Sequence, residues 1–329
     1  MSGYERNISD EFLNSLESGV LEPLLMRVRK DDFLNLEFRG GEIIIYHRGG
    51  MLLKASENGI SQPQDYSVIL NNDYLSEEIE EIEVGSRDDL EEVFDYLPRL
   101  KDSMERHFDD KNRYELAYSQ QIIRMNNYPE VLKGTDVNNS DYFIIDFEPV
   151  LRSEDESGDK DEADLLGVKW PSTNRRENKN LTPAIFELKF RKLNSDDESS
   201  SLKGHLNRVQ KLADKGKLDY IFDKDEEVSE AIKIFNNKRR LNLIDSSKDI
   251  VSFDTSEIEY IICLFDFTRK SMEGVIERII KLERELMPEK ISIKIALAGL
   301  MGAALKEYNV LPPEKVLKMF EAISEMDQS

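Results

Sequence analysis

Cysteine is almost absent from this chain, and the scarcity removes whole classes of function. A single thiol, Cys263, stands among 329 residues, which excludes an intramolecular disulfide and any zinc site built on cysteines. It lies in the apolar run Tyr260-Ile261-Ile262-Cys263-Leu264-Phe265, where a thiol reads as a small buried apolar group. Histidine is nearly as rare. His47, His107 and His205 show no metal-ligand spacing, so a metal here would need hard oxygen ligands. No run approaches the roughly 18 apolar residues of a membrane helix. The first ten residues hold no apolar signal-peptide core, and a cytoplasmic protein with no membrane partner is expected.

Positive charge is also short. Lys and Arg number 45 against 67 Asp and Glu, a net charge of −22, which taken whole argues against a nucleic-acid partner. The distribution argues otherwise. Residues 1–110 hold 11 basic against 26 acidic side chains, whereas residues 167–217 hold 12 basic against 6 acidic. One sizeable basic stretch therefore stands in an acidic protein.

What is present is a series of well-punctuated elements. Ser9 is placed to cap an amphipathic helix running through Phe12, Leu13, Leu16, Val20, Leu24 and Leu25 to about Lys30, kinked or divided at Pro23. Strand-like runs follow at Phe33–Phe38, Glu42–His47 and Met51–Ala55, with a fourth at Asp65–Leu70. Arg39-Gly40-Gly41 and Arg48-Gly49-Gly50 separate the first three and supply the positive φ of tight hairpins. In such acidic surroundings these glycines read as turns, not as a phosphate cradle. An acidic stretch, Glu77–Glu83, precedes a helix that starts at Ser86 and runs to Leu100, with Pro98 expected to interrupt it. Residues 1–108 are read as an acidic N-terminal α+β meander unit, and residues 109–329 as a second domain.

That second domain begins with a helix, Tyr114–Met125, then strands at Asp141–Glu148, Asp164–Trp170 and Ala184–Phe190, then a basic helix, Leu202–Leu212. The loops Arg152–Glu162 and Asn194–Ser201 are polar and charged. Later elements are a helix at Glu226–Lys238, a strand at Glu257–Phe265, a helix at Met272–Leu286, a strand at Ile291–Ala298 and a last helix at Glu314–Met326. In Ala184-Ile185-Phe186-Glu187-Leu188-Lys189-Phe190 the side chains alternate faces, so Glu187 and Lys189 share one and Phe186, Leu188 and Phe190 the other. Two readings are open. At a sheet edge the charges would simply face water. In a buried strand they would have to be paired or to hold a metal.

Glu115 on the first helix, Asp164 opening the second strand and Glu187-Leu188-Lys189 on the third, in the order helix, strand, strand, strand, helix, resemble the PD-(D/E)XK nuclease superfamily. The match also extends to the run Asp141-Tyr142-Phe143-Ile144-Ile145-Asp146 and spans roughly a hundred residues. Ala163 stands where the name-giving proline would. The resemblance implies a restriction-endonuclease-like core, a central mixed sheet flanked by helices in an α/β (α+β) chain. It implies a phosphodiester hydrolase using magnesium or manganese, with Asp164, Glu187 and the backbone carbonyl of Leu188 as metal ligands. Lys189 would orient or deprotonate the attacking water, and Glu115 would complete a metal shell or position Lys189. The acidic types suit the chemistry, because two carboxylates from adjacent strands repel unless a cation lies between them.

Each residue has a plainer role open to it. Glu115 reads equally as a solvated helix residue, and Asp164 as a turn cap or a partner of Arg175. Asp146 and Glu148 compete with Asp164, which is preferred because a hairpin brings it beside Glu187. Gln120 and Gln121 could reach the site from the first helix. Arg175, Arg176, Lys203 and Lys211 are the candidate phosphate contacts, while His205 on the basic helix could touch phosphate but reads first as a surface histidine. The expected function is a metal-dependent nuclease acting on nucleic acid, DNA ahead of RNA. The alternative is a non-catalytic interaction protein with a remnant nuclease-like core, whose acidic N-terminal unit docks a protein partner or a second copy.

Overall fold

A computed structural model describes residues 6–57, 66–74, 81–111, 114–127, 140–149, 163–190, 202–214, 216–222, 228–266, 269–286, 290–298, 305 and 309–326. Two compact units divide the chain. The first is Met1–Lys133 with Lys233–Asp249, and the second is Gly134–Ile232 with Ile250–Ser329. Both are mixed α+β, one built on a five-stranded antiparallel sheet and the other on a six-stranded mixed sheet. Among the described residues no helix is long and apolar enough to cross a membrane.

In the first unit, Ser9 caps α1 (Asp10–Ser18) by accepting the Phe12 amide at 3.0 Å. The chain then breaks at Gly19 and restarts as α2 (Glu22–Lys30), with Pro23 in its first turn, where a missing N–H costs nothing. Strands β1 (Leu34–Phe38), β2 (Glu42–His47), β3 (Gly50–Glu57), β4 (Tyr66–Leu70) and β5 (Ile82–Val84) follow as a meander. Gly49 turns β2 into β3 at φ +82, and a Cβ there would meet the Leu116 carbonyl oxygen at 2.4 Å, so both conformation and space demand glycine. Strand β5 lies at the end of the acidic run, with Ile82 and Val84 buried and Glu83 exposed.

Helix α3 (Leu90–Lys111) corrects one expectation, since it continues through Pro98. Leu90, Val93, Leu97, Leu100 and Met104 form one buried stripe. Five such side chains at roughly 2 kcal/mol each outweigh the roughly 3 kcal/mol of an interior proline. Helix α4 (Tyr114–Asn127) also belongs to this unit. Gln120 accepts the Gly49 amide at 2.7 Å and donates to the Phe33 carbonyl. Beside it, Arg124 meets Asp32 at 2.9 Å.

Residues 233–249 return to the first unit after most of the second has been threaded. Their anchor is Lys238, whose ammonium donates to Glu37 Oε2 at 2.6 Å, while Asn35 donates to Oε1 at 2.7 Å. Glu37 is 0% exposed. A charge buried that deeply is tolerable because every side of it is hydrogen-bonded. The unit thus extends beyond residue 108 and is discontinuous, unlike the division read from the sequence.

The second unit carries β6 (Tyr142–Phe147), β7 (Leu165–Lys169), β8 (Thr182–Phe190), β9 (Ile258–Phe265), β10 (Ile291–Ala298) and β11 (Val310–Leu311), in that spatial order. The first three form an antiparallel meander, β8, β9 and β10 run parallel, and β11 closes antiparallel. Parallel neighbours need crossovers, and the helices supply them. Helices α5 (Leu202–Asp214) and α6 (Lys217–Phe222) lie between β8 and β9 in sequence, along with α7 (Glu230–Arg240), which enters the first unit at Lys233. Helix α8 (Arg269–Leu286) joins β9 to β10, and α9 (Pro313–Met326) ends the unit. The expected order of helix, three strands and basic helix therefore holds for α4, β6, β7, β8 and α5. The loops expected at Arg152–Glu162 and Asn194–Ser201 lie outside the described residues.

Candidate active site

Strand β8 lies between β7 and β9, in the interior of the sheet. That removes the solvated-edge reading of Glu187 and Lys189. Glu187 is 2% exposed and Lys189 8%, so their charges have to be satisfied within the protein. They are. The Lys189 ammonium donates to Glu187 Oε1 at 2.6 Å, His205 Nδ1 stands 2.9 Å from the same oxygen, and the Tyr260 hydroxyl lies 3.4 Å from Oε2. His205 Nε2 is 3.4 Å from Lys189 Nζ.

Asp164 comes to this pair through register. Leu165 faces Phe186 across the β7–β8 ladder, so the residue before β7 stands opposite Glu187. Its carboxylate Oδ2 accepts the Leu188 amide at 2.5 Å, and its own carbonyl accepts the Glu148 amide at 2.8 Å. The side chain is thereby tied to β8 and the backbone to the end of β6.

Electrostatics bear on the same cluster. Burial alone would push the Glu187 carboxyl up, but the Lys189 ammonium and the His205 ring overcome it and hold it at about 2. Cys263 pairs with Leu188 across the β8–β9 ladder and is buried, as the sequence implies. Its thiol is pushed up by that burial, and the negative charges of Asp164 and Glu187 push it further.

The remaining candidates fall in different places. Leu188 is fully buried on β8. Glu115 lies on α4 of the first unit with its side chain exposed. Asp146 is 1% exposed on β6, where it pairs in register with Leu166 beyond a bulge, and its carboxylate accepts the Phe147 amide. Glu148 is exposed at φ +43. Gln120 is occupied with Gly49 and Phe33. Arg176, Lys203 and Lys211 are exposed, as phosphate contacts must be. Arg175 is committed elsewhere. Its guanidinium stacks 4.2 Å from the Phe143 ring centre and 5.4 Å from that of Trp170, and donates to the Ser140 carbonyl.

His205 is the residue that the sequence reading placed at the surface and the fold brings to the centre. Leu206, Val209, Leu212 and Ala213 are buried along α5. His205, Val209 and Leu212 follow the i, i+4, i+7 spacing of one helix face, and that spacing was the available signal. Tyr260 had no such signal beyond its place in an apolar strand.

For a divalent cation the available donors are the carboxylates of Asp164 and Glu187 and the carbonyl of Leu188, all hard oxygens. Among the described residues no group of three or more His, Cys, Asp or Glu side chains gathers in a metal-binding arrangement. Two carboxylates with water completing the shell is nevertheless a composition that magnesium accepts. Comparison with family models, with curated proteins and with solved structures returned no match in any of the three. The functional reading therefore rests on the site itself.

Proposed function

We propose that this protein is a metal-dependent nuclease that hydrolyses phosphodiester bonds, DNA ahead of RNA, on a PD-(D/E)XK-like core. The observation that carries the reading is the placement of Asp164 opposite Glu187 on neighbouring strands, with Lys189 beside them on the same face of β8. Asp164, Glu187 and the Leu188 carbonyl would hold magnesium or manganese. Bound there, the cation would acidify a water and offset charge on the phosphate oxygens.

The chain's own residues have definable tasks. Glu187 stays ionised down to a pH of about 2, so it is an anion at any working pH. Lys189 Nζ sits at the Glu187 oxygen, where its ammonium can orient an attacking water and offset charge on the scissile phosphate. Tyr260 fixes the second carboxylate oxygen. Arg176, Lys203 and Lys211 supply exposed positive charge for the phosphate backbone. The test is cleavage of plasmid and of single strands with magnesium or manganese, against a chelator control. Cation-dependent cleavage that vanishes in Asp164→Ala supports the reading, and a wild type inert with either metal overturns it.

A second reading has an observation of its own. Glu187 already meets Lys189, His205 and Tyr260, as it would in a remnant site kept for structure. The protein would then be a non-catalytic interaction module, with its acidic N-terminal unit docking a basic partner or a second copy. In that case Lys189→Ala would lower stability in a protein that has no cleavage to lose.

A further inference from the structure

Nothing in the chemistry proposed above requires an imidazole on Glu187, yet one is there. His205 Nδ1 stands 2.9 Å from Glu187 Oε1, the oxygen that also takes the Lys189 ammonium at 2.6 Å. The other ring nitrogen, Nε2, faces Lys189 Nζ at 3.4 Å. The ring therefore bridges the two charges. Its position is set by α5, whose buried Leu206, Val209, Leu212 and Ala213 leave the helix little freedom to slide.

A carboxylate oxygen has two lone-pair directions, and Oε1 spends both on these donors. A cation that draws on this oxygen must displace one of them. Lys189 is the harder to displace, since it is charged, closer, and held on the same strand only two residues away. His205 comes from a separate element at a longer distance, so it is the donor that yields.

We propose that His205 is a gate on the carboxylate pair. It holds Glu187 Oε1 while no divalent cation is present and surrenders that oxygen when one binds, and so it sets the cation affinity of the site. The inference rests on the assignment of Asp164 and Glu187 as cation ligands. His205 is a positioning residue here and touches no reacting atom.

The test is manganese binding to the full chain, measured by calorimetry and by the electron paramagnetic resonance of free manganese, with melting curves to confirm folding. His205→Ala removes the competing donor and should lower the Kd about tenfold, the scale of one hydrogen bond to a charged acceptor given up. His205→Asn keeps a donor near the Nδ1 position and should bind as wild type does. His205→Gln reaches instead toward Lys189 and should resemble His205→Ala. If the alanine variant fails to fold, the order of the glutamine and asparagine variants decides. Folded variants whose Kd values all lie within twofold of wild type overturn the gate alone, provided that Asp164→Ala abolishes binding. No binding by the wild type, or undiminished binding by Asp164→Ala, overturns the ligand assignment and the gate with it.

Discussion

Replacing Glu187 by glutamine removes one charge and almost no volume, and the consequence can be worked out from the site. The carboxyl is held at about 2, against an ordinary value of 4.5, although its burial opposes this. A folded-state value below the unfolded one stabilises the protein wherever the unfolded chain would also be ionised. The difference is about 3 kcal/mol at neutral pH, is fully present above about pH 5, and fades as pH falls from 4.5 toward 2. By pH 3 about 2 kcal/mol of it has gone. Glu187→Gln cannot show this loss. In chelator-containing buffer it should be less stable than wild type by about 3 kcal/mol at pH 7, with Lys189 left facing an uncharged amide. The gap should close to about 1 kcal/mol at pH 3. Urea unfolding of both proteins from pH 7 to pH 3 measures it, and the difference between them cancels the other carboxylates that titrate in this range. A gap that stays constant across that window would refute the ion-pair account of Glu187.

Asp164→Ala should abolish cleavage while leaving DNA affinity and its salt dependence nearly unchanged, since affinity comes from lysines and arginines on phosphates; filter binding and plasmid nicking read the two separately. Lys189→Ala should lower cleavage by about 10²-fold or more, and it should cost stability as well, because its ammonium is the leading charge that holds buried Glu187 down. A wild type that does not cleave, alongside a Lys189→Ala protein of lowered melting temperature, favours the interaction module instead. Pro98→Ala should stabilise the protein by about 1–3 kcal/mol in chemical denaturation, because Pro98 is exposed inside a continuous helix, where its ring removes a backbone donor that alanine restores.

Local chemistry made much of this fold legible. The glycines at Gly40, Gly41 and Gly49 all have positive φ and mark the hairpins, and the period-two alternation of β8 put Glu187 and Lys189 on one face. The mixed α+β class and the sequence of elements around β6, β7 and β8 follow from such signals. Features that depend on distant contacts did not show. The Pro98 rule is local, whereas the buried stripe that overrides it is tertiary. Strand β5 hid in a run whose charge dominates its two apolar residues. The boundary after residue 108 missed α4 and residues 233–249, because a lysine that pairs with a glutamate 201 residues away leaves no trace around either residue. In the site, Asp164 and Glu187 were found by pattern. The part played by His205 depends on which face α5 turns to the sheet, and the exposed charges of that helix drew attention away from it.

The late return of Lys238 has a consequence for how the protein is made. At ribosomal rates of about 5–20 residues per second, Glu37 is synthesised on the order of 10–40 s before its partner 201 residues later. Until then, a sheet that closed over Glu37 would trap a carboxylate with its strongest counter-charge missing. The first unit thus lacks the charge that pairs with Glu37 while β6, β7 and β8 emerge, and that charge arrives in the second half of translation. A nascent chain cut at residue 133 carries β1 to β5 of that sheet and still lacks the side chain that pairs with Glu37.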